Sequence, residues 1–451
     1  MIIIVEISEI LDGIVINDDA EIRGNIYLPE RVGDAVITWK SSRPDIISDC
    51  RTGKKAPGCV NRAVDDTKVS LTATVSLGNE NGERSFEVLV KAAPKEPGED
   101  DFTGYLFGHF IGEAAENEEQ IYFAVSDDGL HFRDLNNGQP VLLSNVGECG
   151  VRDPYICRSK EGDRYFLIAT DLSIYHRGGW FLNEQGYYDP STTGSSSLVL
   201  WESGDLVNWG RPRLLPVAPE NAGMAWAPEM VYDDETGDYI IFFSSSIMNP
   251  ETKYKAKPNA IYYVATRDFI HFSEVSLFID NQSDGENGGR KREIIDTTVL
   301  KVGDFYYSAS KDGDNAEADG GIRIMKTRTL LDPDSWEKVL DLDELGLEKQ
   351  SADGKRLDNG FLEGPELFLF NKKDWRDPNI PEYGLIADRY ATGAGYLPII
   401  TTDPEDRDNS GNSWRLLKDS EYSFDRLKKR HGTILPVTRC ELERLKEAYD
   451  R

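Results

Sequence analysis

Apolar positions in this chain alternate with a period of two, in short runs cut by turn residues, so the pattern predicts strands almost throughout. Among residues 1–95 the clearest alternations are Ile37-Thr38-Trp39-Lys40-Ser41-Ser42 and Val69-Ser70-Leu71-Thr72-Ala73-Thr74-Val75, which predict a small β-sandwich. The stretch from Lys91 to Asp101 carries two prolines, a glycine and several charges but no apolar pattern, and reads as a linker. A helical pattern is strong only from Cys440 to Arg451.

Past the linker the pattern repeats. An alternating strand, a polar turn and an aromatic anchor recur as Ile121 to Phe132, Leu198 to Trp209, Ile261 to Phe272, Ile322 to Trp336 and Leu397 to Trp414. The aromatic ends lie roughly 65 to 80 residues apart, the length of a four-stranded antiparallel blade with long loops. Five copies predict five blades. Between them recurs a polar or acidic start, an apolar strand, a charged turn and a Tyr/Phe-rich strand. Its heads are Asp153-Pro154-Tyr155, Pro228-Glu229-Met230, Asp296-Thr297-Thr298 and Glu363-Gly364-Pro365. The first strand of a propeller blade lines the central channel, so four blades are expected to send a carboxylate into one funnel. No blade unit precedes Asp101, so the fifth blade must close by pairing Gly104 to Gly112 with His431 to Pro436, which hides the sheet edges. The expected fold is all-β: a sandwich module over 1–95, a linker over 96–103 and a five-bladed β-propeller over 104–451.

Charge narrows the partners. With 51 Lys+Arg against 80 Asp+Glu, a formal charge of −29 repels nucleic-acid phosphates and anionic lipid, so a neutral substrate fits better. No run of eighteen apolar residues exists, which excludes a membrane-spanning helix, and Met1-Ile2-Ile3-Ile4-Val5 meets Glu6 too soon for a signal peptide, so a cytoplasmic location is expected. The five cysteines (Cys50, Cys59, Cys149, Cys157, Cys440) are odd in number and include no C-x-x-C pair, which predicts reduced thiols and neither a disulfide framework nor a zinc site.

Hydrolysing a glycosidic bond takes one protonated carboxyl group at the leaving oxygen and one ionised carboxylate across the sugar ring. Asp153, Glu229, Asp296 and Glu363 are the candidates, because each heads an inner strand instead of sitting in a turn. A lone strand-start acid would read as a loop cap or ion pair; four at equivalent repeat positions point to a shared site.

From about Asp101 onward the chain resembles glycoside hydrolase family 43. The resemblance rests on Arg152-Asp153-Pro154, Trp226-Ala227-Pro228-Glu229, Ile295-Asp296-Thr297 and Leu362-Glu363-Gly364-Pro365, in that order and at blade spacing, followed by Arg430-His431-Gly432. It implies that Asp153 is the general base activating water, Glu363 the general acid, and Asp296 the third acid that raises and orients it. It further implies inversion of configuration, with Asp153 and Glu363 roughly 6.5–9.5 Å apart. By the same resemblance Arg152 and Glu229 belong to the substrate's surroundings, Trp226 offers a stacking face, and Arg389 in Asp388-Arg389-Tyr390 contacts both sugar and acid. His431 is expected to face a structural ion in the channel, typically calcium with a water shell; no cofactor is required for the chemistry. His131 and His271 occupy equivalent repeat positions and are expected to be structural. The amino-terminal stretch, through Trp39 to Ser48, resembles a bacterial immunoglobulin-like module.

The resemblance favours an exo-acting α-L-arabinofuranosidase working on oligosaccharides or polysaccharides, with β-xylosidase and β-galactofuranosidase as alternatives. A non-catalytic carbohydrate-binding propeller would be expected to lack one of the three acids. Two insertions, Tyr175 to Ser196 and Met248 to Ala260, carry Trp180, Phe181, Tyr187, Tyr188 and Tyr254, and are expected to wall a pocket that admits only a chain end or side branch.

Overall fold

The computed structural model describes residues 6–180, 189–252, 255, 258–280, 293–313, 321–347, 362–390 and 395–450. Those residues form an all-β chain of six four-stranded antiparallel sheets with a few short helices. The longest helix, Arg439–Tyr449, occupies the stretch with the helical pattern and is capped by Thr438, whose hydroxyl accepts from Glu441 N while the Glu441 carboxylate accepts from Thr438 N. Among the described residues no helix is long and apolar enough to cross a membrane.

The first sheet, Arg31–Val32, Ala35–Ser41, Thr67–Leu77 and Glu80–Val90, makes up the amino-terminal module. Strict alternation in Ala35–Ser41 and Thr67–Leu77 turns one face inward. The module differs from the sandwich expected: among the described residues that face is covered by the helix Ile7–Gly13 and by irregular chain carrying Ile16, Ile22, Ile26, Leu28, Ile46 and Ile47, not by a second sheet. Those segments satisfy their backbone through single bridges, Ile22 to Val90 and Ile47 to Val60, which no alternating pattern announces.

The other five sheets are consecutive meanders. They run Val151–Arg158, Tyr165–Asp171, Ser197–Ser203, Arg213–Pro216; then Trp226–Asp233, Asp238–Ser245, Ala260–Thr266, Ser276–Ile279; then Ile294–Val302, Phe305–Asp312, Gly321–Thr327, Glu337–Asp341; then Glu363–Leu369, Tyr383–Asp388, Tyr396–Thr401, Trp414–Leu416. The last takes Arg430–Thr438 from late in the sequence and pairs it with Phe102–Phe110, followed by Tyr122–Ser126 and Phe132–Asp134. Gly432 lies opposite His109 and Pro436 opposite Tyr105. The strand at Phe102 begins inside the expected linker. Each leading strand contacts the next, and the fifth contacts the first. Five apolar cores fill the spaces between successive sheets: Phe242 and Phe278 meet Trp336, for example, and Ile322 and Ile324 meet Leu385 and Trp414. Two of the repeated units share one turn: Asp128 and Asp268 accept backbone N–H groups and hold His131 and His271 at 2.7 and 2.8 Å.

The amino-terminal module is docked on the outer ends of these sheets. Asp163 accepts from Arg23 and Arg62, each at 2.9 Å, Arg267 donates to the carbonyls of Ala56 and Pro57, and Tyr27 stacks on His271 at 4.1 Å. All five cysteines are free thiols.

Candidate active site

The five leading strands start with the same irregularity. Each slips register against its neighbour: between Arg152 and Tyr155, Trp226 and Glu229, Ile295 and Thr297, Glu363 and Glu366, and Arg430 and Gly432. Four of these bulges hold a residue at positive φ: Asp153 at 50°, Ala227 at 46°, Asp296 at 51° and Gly364 at 52°. A left-handed residue breaks the in-out alternation of a strand, so two adjacent side chains can face one side. Arg152 with Asp153, Ile295 with Asp296, and Arg430 with His431 accordingly line a single cavity of about 390 Å³, joined by Trp226 and Glu363. Gly364 is needed as glycine, because a Cβ there would sit 2.7 Å from His431. Glu113, Leu172, Trp180, Lys311 and Tyr390 complete the wall.

Asp153, Asp296 and Glu363 therefore come from three different strands into one cavity, in different electrostatic settings. Burial alone would raise Asp153, but the hydrogen bond and charge of His431, with Arg152 and Thr170, outweigh it and hold the carboxyl below its ordinary range. Thr170 Oγ1 donates to its Oδ2 at 2.8 Å, and His431 Nδ1 stands 3.4 Å from Oδ1. Burial pushes Asp296 up to about 6, with the charges of Glu363 and Asp153 adding to it against His431 and Lys311. Its Oδ2 accepts from Gly364 N at 3.1 Å. Glu363 accepts from Arg430 Nη2 at Oε1, 2.7 Å, and from Lys311 Nζ at Oε2, 3.2 Å. Arg152 is gripped by Glu113 at 2.6 Å and Glu119 at 3.0 Å, with its guanidinium over Phe110 and Trp180. Trp180 Nε1 donates to Glu113, and its ring meets that of Trp226 edge-on at 6.2 Å.

Two expectations change. Arg389 is not among the lining residues; its Nε and Nη2 donate to the carbonyls of Gly395 and Tyr396, while the arginine that reaches the acid is Arg430, which also pairs with Asp388. Glu229 does not reach the cavity either. The bulge at Ala227 sets it one layer deeper, 3% exposed, where it shares a hydrogen bond with the equally buried Glu366. Burial pushes Glu366 up to about 8, and burial with Glu366 pushes Glu229 well above the usual carboxylate range. His431 faces Asp153 through Nδ1. Burial pulls it down, but Asp153, then Asp296 and Glu363, push it up to about 9, so it is itself a cation facing an anion. Among the described residues no group of three or more His, Cys, Asp or Glu could hold a metal ion. Of the loop aromatics, Trp180 is at the cavity, while Phe181, Tyr187, Tyr188 and Tyr254 lie outside the described residues.

Asp296, Glu366 and His431 all bind their protons more tightly than their ordinary values of 3.8, 4.5 and 6.5. Stability from that tightening is complete below those values and is lost as pH rises through about 6, 8 and 9 respectively. The free energy of unfolding, and with it the melting midpoint, is therefore expected to fall across that range. Fluorimetric melting across pH would show it, with Glu366→Gln removing the middle part of the fall. A midpoint that does not move would contradict the burial of these protons.

A family model described as "Probable glycosyl hydrolase domain", related to glycoside hydrolase family 43, matches residues 100–443. The chain belongs to this glycoside hydrolase family 43-related group. A second model, "Atrophied bacterial Ig domain", matches residues 11–93. Beside these, an α-L-arabinofuranosidase of Bifidobacterium longum subsp. longum is 30% identical over 418 residues, covering 82% of this family 43-related chain and 36% of that protein. The chain thus spans about a third of the length of that curated relative. Among solved structures, an endo-1,4-β-xylanase from Bacteroides thetaiotaomicron has a TM-score of 0.43 at 13% identity, covering 73% of this chain and 93% of that one. An α-L-arabinanase of Penicillium chrysogenum complexed with arabinobiose has a TM-score of 0.41 at 12% identity, covering 80% and 83%.

Proposed function

We propose that the protein is a glycoside hydrolase that inverts configuration, most specifically an exo-acting α-L-arabinofuranosidase, on a five-bladed propeller closed by Arg430–Thr438 against Phe102–Phe110. The observation that carries this reading is the meeting of Asp153, Asp296 and Glu363 in one cavity beside Trp180 and Trp226. In it, Asp153 takes a proton from the attacking water, which suits a carboxylate kept ionised by His431 and Thr170. Glu363 protonates the leaving oxygen. Asp296, half ionised at about pH 6, holds the Gly364 N–H and opposes further negative charge beside Glu363. The lining has four acids (Glu113, Asp153, Asp296, Glu363) and four bases (Arg152, Lys311, Arg430, His431), which suits a neutral sugar. The family's relation to an α-L-arabinofuranosidase favours the furanoside among such sugars. The five free thiols suit a cytoplasmic setting.

A panel of nitrophenyl α-L-arabinofuranoside, β-D-xyloside and β-D-galactofuranoside tests the substrate, with proton NMR of the first-formed anomer testing stereochemistry. Fastest cleavage of the arabinofuranoside with the inverted anomer appearing first is expected. A preference for the xyloside, or the retained anomer, would overturn the finer assignment.

A further inference from the structure

The second strand of each of the first four propeller-type sheets ends beside the bulge of its leading strand. The residue opposite the first member of the bulge is Thr170 (opposite Arg152), Ser244 (opposite Trp226), Lys311 (opposite Ile295) and Asp388 (opposite Glu363). Each of the four supports the bulge of the following sheet. Thr170 Oγ1 accepts from Ala227 N at 2.8 Å, Ser244 Oγ accepts from Asp296 N at 3.0 Å, and Asp388 accepts from Arg430 Nε. Lys311 obeys the same rule and reaches Glu363 Oε2 at 3.2 Å.

Lys311 is 3% exposed in the strand Phe305–Asp312, where an ammonium group is costly unless paired. Its Nζ also lies 4.4 Å from the centroid of the Tyr390 ring. We propose that Lys311 is a positioning residue for Glu363: together with Arg430 it fixes the plane of the carboxyl group. The proposal rests on the reading of Glu363 as the general acid.

The geometry explains why two cations are used. Arg430 and Lys311 each donate to a different oxygen of Glu363, so the carboxyl group cannot rotate without losing one of them. A protonated Glu363 must carry its hydrogen on an oxygen that already faces a donor, and the longer bond, to Lys311, is the one that yields more easily. The other charged groups facing this carboxyl are Asp296 and His431 in the cavity and Asp388 behind Arg430. Burial pulls Lys311 down, but Glu363 and Asp296 outweigh it and raise it, so the ammonium stays charged through the working range.

The test compares Lys311→Met, Lys311→Gln and Lys311→Arg with the parent protein, on an arabinoside with a poor leaving group and on an activated aryl arabinoside. Lys311→Met is expected to lower kcat/KM about tenfold or more on the first and clearly less on the second. Lys311→Gln, which keeps a donor without the charge, should recover much of the rate, and Lys311→Arg should restore it. Folded Met and Gln variants with equal losses on both substrates would overturn the proposal. Glu363→Gln measured alongside separates the two readings. A loss there that ignores the leaving group defeats the acid assignment and the proposal together, whereas a leaving-group-dependent loss beside Lys311 variants that lose equally on both substrates defeats the proposal alone.

Discussion

Asp153→Asn is expected to bind its sugar about as well as the parent and to turn it over on the order of 10²- to 10⁴-fold more slowly. An amide still accepts the Thr170 hydrogen bond, so the bulge and the cavity keep their shape. It cannot take a proton from water, and it no longer supplies the anion that raises His431 to about 9. Two measurements check this: steady-state rates with a separate binding isotherm, and NMR titration of His431, which should fall toward its ordinary 6.5. Retained turnover, or an unmoved histidine, would place the base elsewhere.

The second large effect concerns Glu363→Gln. On substrates with poor leaving groups it should cost about 10²- to 10⁴-fold, and on activated aryl glycosides much less, because only the former need a proton in the transition state. An amide can accept from just one of the two cations that now hold the carboxylate, and must turn its NH₂ toward the other. The absolute rate therefore mixes lost proton transfer with a disturbed position, and the ratio between the two leaving groups is the informative number. Equal losses would contradict the acid assignment.

The strands were readable because a half-buried strand must alternate, and the repeat was readable because each unit ends in an aromatic that fills the space between sheets. Trp336 and Trp414 are such anchors, both buried. The three acids in the cavity were readable for the same reason. Glu229 was misplaced because the bulge shifts the register by one residue, and a shift of one exchanges the faces of a strand. The signal was present in the prolines: aligning Asp153-Pro154, Ala227-Pro228 and Gly364-Pro365 sets Ala227 beside Asp153, and leaves Glu229 level with Glu366. Arg430 was hidden behind the more conspicuous Asp388-Arg389-Tyr390. Lys311 and Glu113 were missed because nothing in their own segments shows what they meet; both find their partners across the cavity. Lys311 did leave one trace, a charge inside the strand Phe305–Asp312. The module's irregular half was unreadable since its backbone is held by isolated bridges that carry no period.

Closure of the last sheet by Arg430–Thr438 bears on how the site comes into being during synthesis. Every candidate acid, from Glu113 to Glu363, emerges from the ribosome before the strand that carries Arg430 and His431. Until that strand pairs with Phe102–Phe110, Glu363 lacks one of its two cations, and Asp153 lacks the imidazolium that keeps it charged. A nascent chain held just short of residue 430 would leave Asp153 with Arg152 and Glu363 with Lys311 alone, without the imidazolium and the guanidinium that complete their pairing. The charge balance of the cavity and the closure of the last sheet therefore form together, when Arg430–Thr438 pairs with Phe102–Phe110.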